Sequence, residues 1–159
     1  MKVLFMCTHN SCRSILSEAL FNHLASEGLE ALEAVSSGSF PSGRVNQRAL
    51  QTLEAAGIST AGLSSKASDA FEGSPPDIVI TVCDRAAGEA CPIFFGPALK
   101  AHWGLADPSE ASGSEAEITA AFEATLAKIH ERVSAFLMLP LKTMSPDQLK
   151  AELNRIGSL

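Results

Sequence analysis

The fold follows from one stretch of sequence, VLFMCTHNSCRSILSEAL, which spans residues 3–20. The apolar run at 3–6 predicts a short buried strand, and residues 15–20 have the apolar spacing of a helix. Between them lies the polar stretch Cys7–Ser14. A strand, a tight turn and a helix N-terminus in this order point backbone N–H groups at an anion, at the positive end of the helix dipole. The stretch therefore predicts an anion-binding loop.

The residue types in this loop indicate covalent chemistry. Cys7 is a nucleophile, and a helix N-terminus beside a cation favours the thiolate form of a cysteine. Arg13 carries a planar fork that matches two oxygens of a tetrahedral anion, and Ser14 can donate a hydrogen bond to the thiolate. Asn10 either braces the loop through its amide or takes a left-handed backbone conformation. The expected anion-binding residues are Thr8, His9, Asn10, Ser11, Cys12, Arg13 and Ser14.

The rest of the chain alternates between strand and helix patterns. Strands are predicted at 2–6, 32–36, 77–82 and 99–103, and helices at 14–26, 46–56, 114–136 and 145–157. Such alternation predicts an α/β three-layer domain with a central parallel sheet flanked by helices. Ligands of these sheets bind beyond the carboxyl ends of the strands. Cys7, Cys83 and Asp107 each follow a predicted strand, so we expect them at one mouth.

Composition narrows the classes of function. A chain of 159 residues that is 46% hydrophobic and 19% charged has enough core to fold without disulfide support. The net charge of −6 argues against nucleic acid as a partner and requires that an anion site be built locally. No stretch resembles a membrane span or a signal peptide, so we expect a cytoplasmic protein without a membrane partner. In that compartment four cysteines are buried, metal-ligating or redox-active.

Several motifs together resemble the arsenate reductases built on the low-molecular-weight tyrosine phosphatase fold. They are the loop Cys7–Ser14, Cys83, Cys91-Pro92, His102-Trp103-Gly104 and Asp107-Pro108. The resemblance covers about residues 2–138. We therefore expect a phosphatase-like reductase domain at 1–138 and a C-terminal helical extension at 139–159, acting as a monomer.

The resemblance implies a relay of three thiols that detoxifies arsenic. Cys7 attacks arsenate while Asp107 acts as general acid. Cys83 then attacks the Cys7 sulfur, and arsenic leaves as arsenite. Cys91 attacks Cys83, and an external thiol reductant, expected to be thioredoxin, reduces the resulting disulfide; glutaredoxin uses similar thiols. The interval between the last two cysteines is one residue longer than in the family, and the relay requires that this segment move.

Two other functions fit the loop. A low-molecular-weight protein tyrosine phosphatase needs only Cys7, Arg13 and Asp107, because phosphate and arsenate share shape and charge. Reduction, however, needs further thiols to supply two electrons. Ser109 follows the acid where phosphatase relatives carry a nearby aromatic residue, and the chain contains no tyrosine, which favours a small inorganic anion. The third function is a non-catalytic oxyanion- or redox-sensing module in which oxidation of Cys7 and Cys12 is the signal, although an inward-packed Cys12 is the simpler expectation.

No tightly bound cofactor is expected. A structural zinc needs a second pair of ligands, which Cys7, His9 and Cys12 lack at suitable spacing. The resemblance implies an optional potassium ion beside the loop. The matching positions are Asn10, Glu18, Ser36 and Asp69.

Overall fold

The protein folds around a four-stranded parallel sheet, as seen in a computed structural model. The structure describes residues 1–26, 31–90, 93, 94 and 96–159. The strands are β1 (Lys2–Cys7), β2 (Glu33–Gly38), β3 (Ile78–Thr81) and β4 (Leu99–His102), in the spatial order β2-β1-β3-β4. Every neighbouring pair is parallel. The predicted α/β domain with a central parallel sheet is confirmed.

Four α-helices accompany the sheet in the described part of the chain. They are α1 (Arg13–Ala25), α2 (Gln47–Ala55), α3 (Glu115–Leu137) and α4 (Pro146–Gly157). Ser114 and Ser145 open α3 and α4 with complete capping boxes, as their sequence patterns predict. None of these helices is long and apolar enough to cross a membrane.

An aromatic cluster ties the sheet to the helices on one face. Phe5 of β1 packs against Phe21 of α1 and against Trp103, with ring centroids 6.1 Å apart in both pairs. Phe136 of α3 completes the cluster, 5.7 Å from Phe21 and 6.4 Å from Trp103. Trp103 is only 3% exposed, so it is a core residue. Large buried rings of this kind dominate core energetics.

The C-terminal helix α4 packs on the edge strand β4. Leu149, Leu153 and Ile156, spaced by four and three residues, form its buried face. The indole Nε1 of Trp103, directly after β4, donates to the Leu153 carbonyl of α4 at 2.9 Å. Arg132 of α3 donates to the Gly104 carbonyl through Nη1 at 2.9 Å and to the Gly157 carbonyl of α4 through Nη2 at 3.3 Å. These contacts fasten α4 to the end of the sheet that carries the loop after β4. The division of the chain at residue 138 stays a prediction.

Candidate active site

Asn10 holds the loop between β1 and α1 together. Its side chain is completely buried, and its Nδ2 donates to Ser14 Oγ at 2.8 Å and to Ser36 Oγ at 2.9 Å. Its Oδ1 accepts the backbone N–H of Lys66 at 2.9 Å. With φ of 48°, Asn10 is the one non-glycine residue in the left-handed region among those described. Asn10 therefore both braces the loop through its amide and takes the left-handed conformation, the two alternatives stated for it.

The carbonyl groups of the loop accept hydrogen bonds from backbone N–H groups of the chain segment that follows β2. Those of Cys7, Thr8, His9 and Ser11 accept the backbone N–H groups of Ser39, Phe40, Ser42 and Asn46, at 3.3, 2.8, 3.0 and 2.7 Å. Since the C=O and N–H of one peptide point in opposite directions, the N–H groups of these peptides turn the other way, into the loop. This orientation is the one that an anion-binding nest requires.

Gly38, at the end of β2, makes this close approach sterically feasible. A Cβ on Gly38 would lie 2.5 Å from the Thr8 carbonyl oxygen and 2.9 Å from the Asn10 nitrogen. Any larger residue would therefore push the loop away from the sheet. A glycine here is a requirement of space, because contact with the loop backbone leaves no room for a side chain.

The two cysteines of the loop have different surroundings. Both belong to the buried core cluster, but Cys7, at the end of β1, also has its Sγ 2.9 Å from Ser14 Oγ. Both are free thiols. Burial, helped by the nearby Asp107, raises the pKa of Cys12 to about 12. Cys12 therefore stays protonated at neutral pH.

Arg13 begins α1 with its guanidinium held on several sides. Its Nη1 and Nη2 donate to the two carboxylate oxygens of Glu89 at 2.6 and 2.7 Å. Nη1 also donates to the Leu105 carbonyl at 3.1 Å, and Nη2 lies 3.6 Å from Asp107 Oδ2. Burial opposes the charge, but the Glu89 hydrogen bonds and the Asp107 charge outweigh it and raise the pKa of Arg13.

Asp107 is oriented by its own turn. Its Oδ1 accepts the backbone N–H of Ser109 at 3.0 Å and the Ser109 hydroxyl at 2.7 Å, while Oδ2 faces Arg13. Asp107, Thr8 and Glu89 line one cleft of about 800 Å³ at the carboxyl ends of the strands. The structure thus brings the loop, the arginine and the predicted acid to one mouth.

Most of the chain matches the sequence model of a known protein family. The model for low molecular weight phosphotyrosine protein phosphatases matches residues 2–154. The chain belongs to this family. The matched region extends beyond residue 138, where the sequence analysis ended the reductase domain, and it includes most of α4.

Relatives within the phosphatase family include arsenate reductases. The arsenate reductase of Bacillus licheniformis is 33% identical over 135 residues, which is 84% of this chain and 93% of the relative. An arsenate reductase structure from Archaeoglobus fulgidus matches with a TM-score of 0.69 and 27% identity, over 85% of this chain and 98% of that one. A thioredoxin-dependent arsenate reductase from Corynebacterium glutamicum matches with a TM-score of 0.59 and 27% identity, over 86% and 62%. The predicted family resemblance is confirmed.

Of the two predicted relay cysteines outside the loop, only Cys83 lies within the described residues. Cys83 follows β3, is completely buried and is disulfide-bonded. Cys91 lies outside the described residues. After Cys83 the chain makes a short 3₁₀ turn at Arg85–Ala87 and then reverses at Gly88, where φ is 82°. This turn is the one helical element between the two cysteines in the part that the structure describes.

Glu89 is the site residue that sequence reasoning missed in this phosphatase-family chain. Its carboxylate binds Arg13 on both oxygens and also accepts the Asp84 backbone N–H at 2.8 Å. The hydrogen bond from Arg13 lowers the pKa of Glu89 against the opposing effect of its partial burial, and Thr8 acts in the same direction. The sequence offers only a weak signal for it, since Glu89 follows Gly88 in the interval between the two candidate redox cysteines and shares that interval with Asp84.

Three of the four positions matched to a potassium site lie together. Glu18 Oε1 accepts the Ser36 hydroxyl at 2.5 Å, and Ser36 in turn accepts from Asn10, while Asp69 is exposed. The Lys66 ammonium lies 3.8 Å from Glu18, so it already places a positive charge beside this carboxylate. Burial nevertheless raises the pKa of Glu18. Potassium stays a prediction, and no cluster of three or more His, Cys, Asp or Glu suited to a metal occurs in the described residues.

Proposed function

We propose that this chain reduces arsenate to arsenite, with Cys7 as the nucleophile, and so detoxifies arsenic. The observation that carries the proposal is a second, disulfide-bonded cysteine, Cys83, following the strand next to the nucleophile's own strand. A phosphatase needs no second thiol. The arsenate reductases of similar sequence support the same activity.

Binding and attack use the residues of the cleft. The loop N–H groups and Arg13 hold three oxygens of the anion and present the fourth to Asp107. The Cys7 thiolate attacks arsenic in H₂AsO₄⁻, one As–O bond breaks, and Asp107 supplies the proton that lets this oxygen leave as water. The product is a Cys7–S–AsO₃H⁻ adduct. Ser109 keeps Asp107 oriented for this transfer through its two hydrogen bonds.

Reduction follows at sulfur. The Cys83 thiolate attacks Cys7 Sγ, the S–As bond breaks, and its electron pair stays on arsenic, which leaves as arsenite after protonation. Cys91 then attacks Cys83 and releases the Cys7 thiolate. An external dithiol reduces the Cys83–Cys91 disulfide, so the two electrons that reach arsenic come from that reductant. We propose thioredoxin in this role, in line with the Corynebacterium relative. We also propose that the chain acts as a monomer in the cytoplasm, where thiols are kept reduced.

A coupled assay tests this function. Reduced thioredoxin, with its reductase and NADPH, is mixed with the protein and arsenate, and NADPH oxidation is followed. We expect arsenate-dependent turnover by the wild type, none by Cys7→Ser, and a single turnover by Cys91→Ser. Inorganic phosphate in place of arsenate is the matched control, since it binds but accepts no electrons.

Three results would change the assignment. No arsenate-dependent turnover by the wild type overturns the reductase. Unchanged multiple turnover by Cys91→Ser removes Cys91 from the relay. Fast hydrolysis of an aryl phosphate that is lost in Cys7→Ser, without arsenate turnover, favours the phosphatase.

A further inference from the structure

Glu89 holds Arg13 in the way that a substrate oxyanion would. Nη1 and Nη2 each donate to a different oxygen of the carboxylate, at 2.6 and 2.7 Å. This parallel pair of charge-assisted hydrogen bonds is the geometry by which a guanidinium recognises two oxygens of a phosphate or an arsenate. The carboxylate therefore competes for the same face of the arginine.

The terminal donors of Arg13 are all directed at protein acceptors. Each Nη carries two N–H groups. One from each nitrogen goes to Glu89; the others are directed at the Leu105 carbonyl, 3.1 Å away, and at Asp107 Oδ2, 3.6 Å away. An oxyanion can therefore accept hydrogen bonds from both Nη atoms of Arg13 in this way only after Glu89 has withdrawn.

The contact is well anchored. The Arg13 side chain is 6% exposed, and that of Glu89 is 25% exposed. The Asp84 N–H donates to Glu89 Oε2 at 2.8 Å, and the Glu89 N–H donates to the Asp84 carbonyl at 3.0 Å. The lowered pKa of Glu89 keeps this carboxylate charged at neutral pH.

Glu89 lies in the segment that begins at Cys83, and Cys83 is disulfide-bonded in this structure. We propose that Glu89 is an internal competitor of the substrate, whose carboxylate binds Arg13 and closes the anion site while the Cys83 disulfide exists. Two-electron reduction of that disulfide by the external dithiol frees the segment, and Glu89 leaves the fork. The inference rests on the proposed function, since it takes the loop as the binding site of an oxyanion. Its consequence is that oxidised protein does not take up a new anion before it has been reduced.

Inorganic phosphate is the probe that tests this competition. Its dissociation constant is measured by calorimetry for the oxidised and the reduced protein, with the redox state checked by thiol titration. We expect oxidised wild type to bind phosphate at least about tenfold more weakly than reduced wild type, because a site that is closed in nine molecules of ten loses that factor in affinity. Glu89→Gln and Glu89→Ala should remove most of this difference. Glu110→Gln is the matched control, since Glu110 lines the same cleft and does not bind Arg13.

The outcomes separate this inference from the proposed function. Equal affinities of wild type and both Glu89 variants in the oxidised state, or no phosphate binding by any form, overturn the inference. Arsenate turnover is measured on the same preparations. The wild type could show no arsenate turnover and still bind phosphate in a redox-dependent way that the Glu89 variants abolish. That result overturns the reductase assignment alone and supports Glu89 as the competitor.

Discussion

The Sγ of Cys7 and the Oγ of Ser14 lie 2.9 Å apart in a buried setting. The amide of Asn10 donates to the same Oγ at 2.8 Å, which leaves the single hydroxyl proton of Ser14 to point at the sulfur. A hydrogen bond donated to a thiolate stabilises its charged form. Asn10 therefore orients Ser14 toward Cys7, the predicted nucleophile.

Ser14→Ala should slow alkylation of Cys7 by iodoacetamide at neutral pH at least about tenfold, because a hydrogen bond to a charged group is worth about 1.5–3 kcal/mol. Peptide mass spectrometry of the reduced protein measures the rate at this one cysteine. Ser17→Ala is the matched control, since its buried hydroxyl lies in the same helix and donates to the Arg13 carbonyl. Equal rates for the two variants would remove Ser14 from the activation of Cys7.

Gly38→Ala should displace the anion loop, because the new Cβ would meet the backbone of Thr8 and Asn10. We expect a loss of about 1–3 kcal/mol in the free energy of unfolding, and weaker phosphate binding by the reduced protein. Urea unfolding and calorimetry measure the two effects. Gly73→Ala, where the added Cβ meets open space, should leave both near wild type. Unchanged phosphate binding by Gly38→Ala would contradict this prediction.

Asn10→Ala should lower the free energy of unfolding by about 2–4 kcal/mol, since it leaves several buried polar groups without their partner. Those groups are Ser14, Ser36 and the Lys66 N–H. Urea denaturation measures the change, and Asn154→Ala, on the exposed face of α4, is its control. A loss below about 0.5 kcal/mol, typical of a surface substitution, would show that the network does not hold the loop.

Glu89 should make the stability of the oxidised protein depend on pH. Its folded-state pKa lies below the ordinary value, mainly because of the hydrogen bond from Arg13. Its contribution is therefore fully present well above the unfolded-state pKa of about 4.3, and is lost as the pH falls through the lower folded-state pKa. The difference in free energy of unfolding between wild type and Glu89→Gln should be constant above about pH 6 and shrink below about pH 4. A difference that is the same at all pH values would contradict the ion pair.

Asp107→Asn should lower kcat for arsenate about 10²–10⁴-fold, the usual range for loss of a general acid, without weakening phosphate binding. Single-turnover release of arsenite and phosphate calorimetry measure the two quantities. Asp147→Asn, in the first turn of α4, is the control. A kcat close to wild type for Asp107→Asn would assign proton transfer to another group.

Most elements of the fold could be predicted because their signals are local. The capping boxes at Ser114 and Ser145 place the starts of α3 and α4 within a single turn of sequence. The β-branched run before Cys83 marks β3 in the same way. The loop between β1 and α1 belongs to this class, since its predicted nucleophile, its arginine and its serine lie within eight consecutive residues.

The outcomes for individual loop residues depended on distant partners. Asn10 is left-handed and also braces the loop, because the Lys66 N–H reaches it from 56 residues away. Cys12 turns into the core, as the simpler expectation had it, and there it stays protonated. The sequence pattern alone left these alternatives open, since both conformations fit the same local spacing.

The amino-acid sequence was enough to predict the α/β sheet, which is confirmed, and to place a candidate anion loop with a candidate nucleophile at the end of its first strand. These features depend on periodicity, capping and turn chemistry, which act over a few residues. The tertiary structure was needed to reveal what occupies the arginine of that loop. Arg13 and Glu89 are 76 residues apart, and no sequence pattern around a single glutamate indicates which distant arginine it will pair with. Only the folded chain brings the two charges within hydrogen-bonding distance, because packing of the segment after β3 against the loop sets their separation.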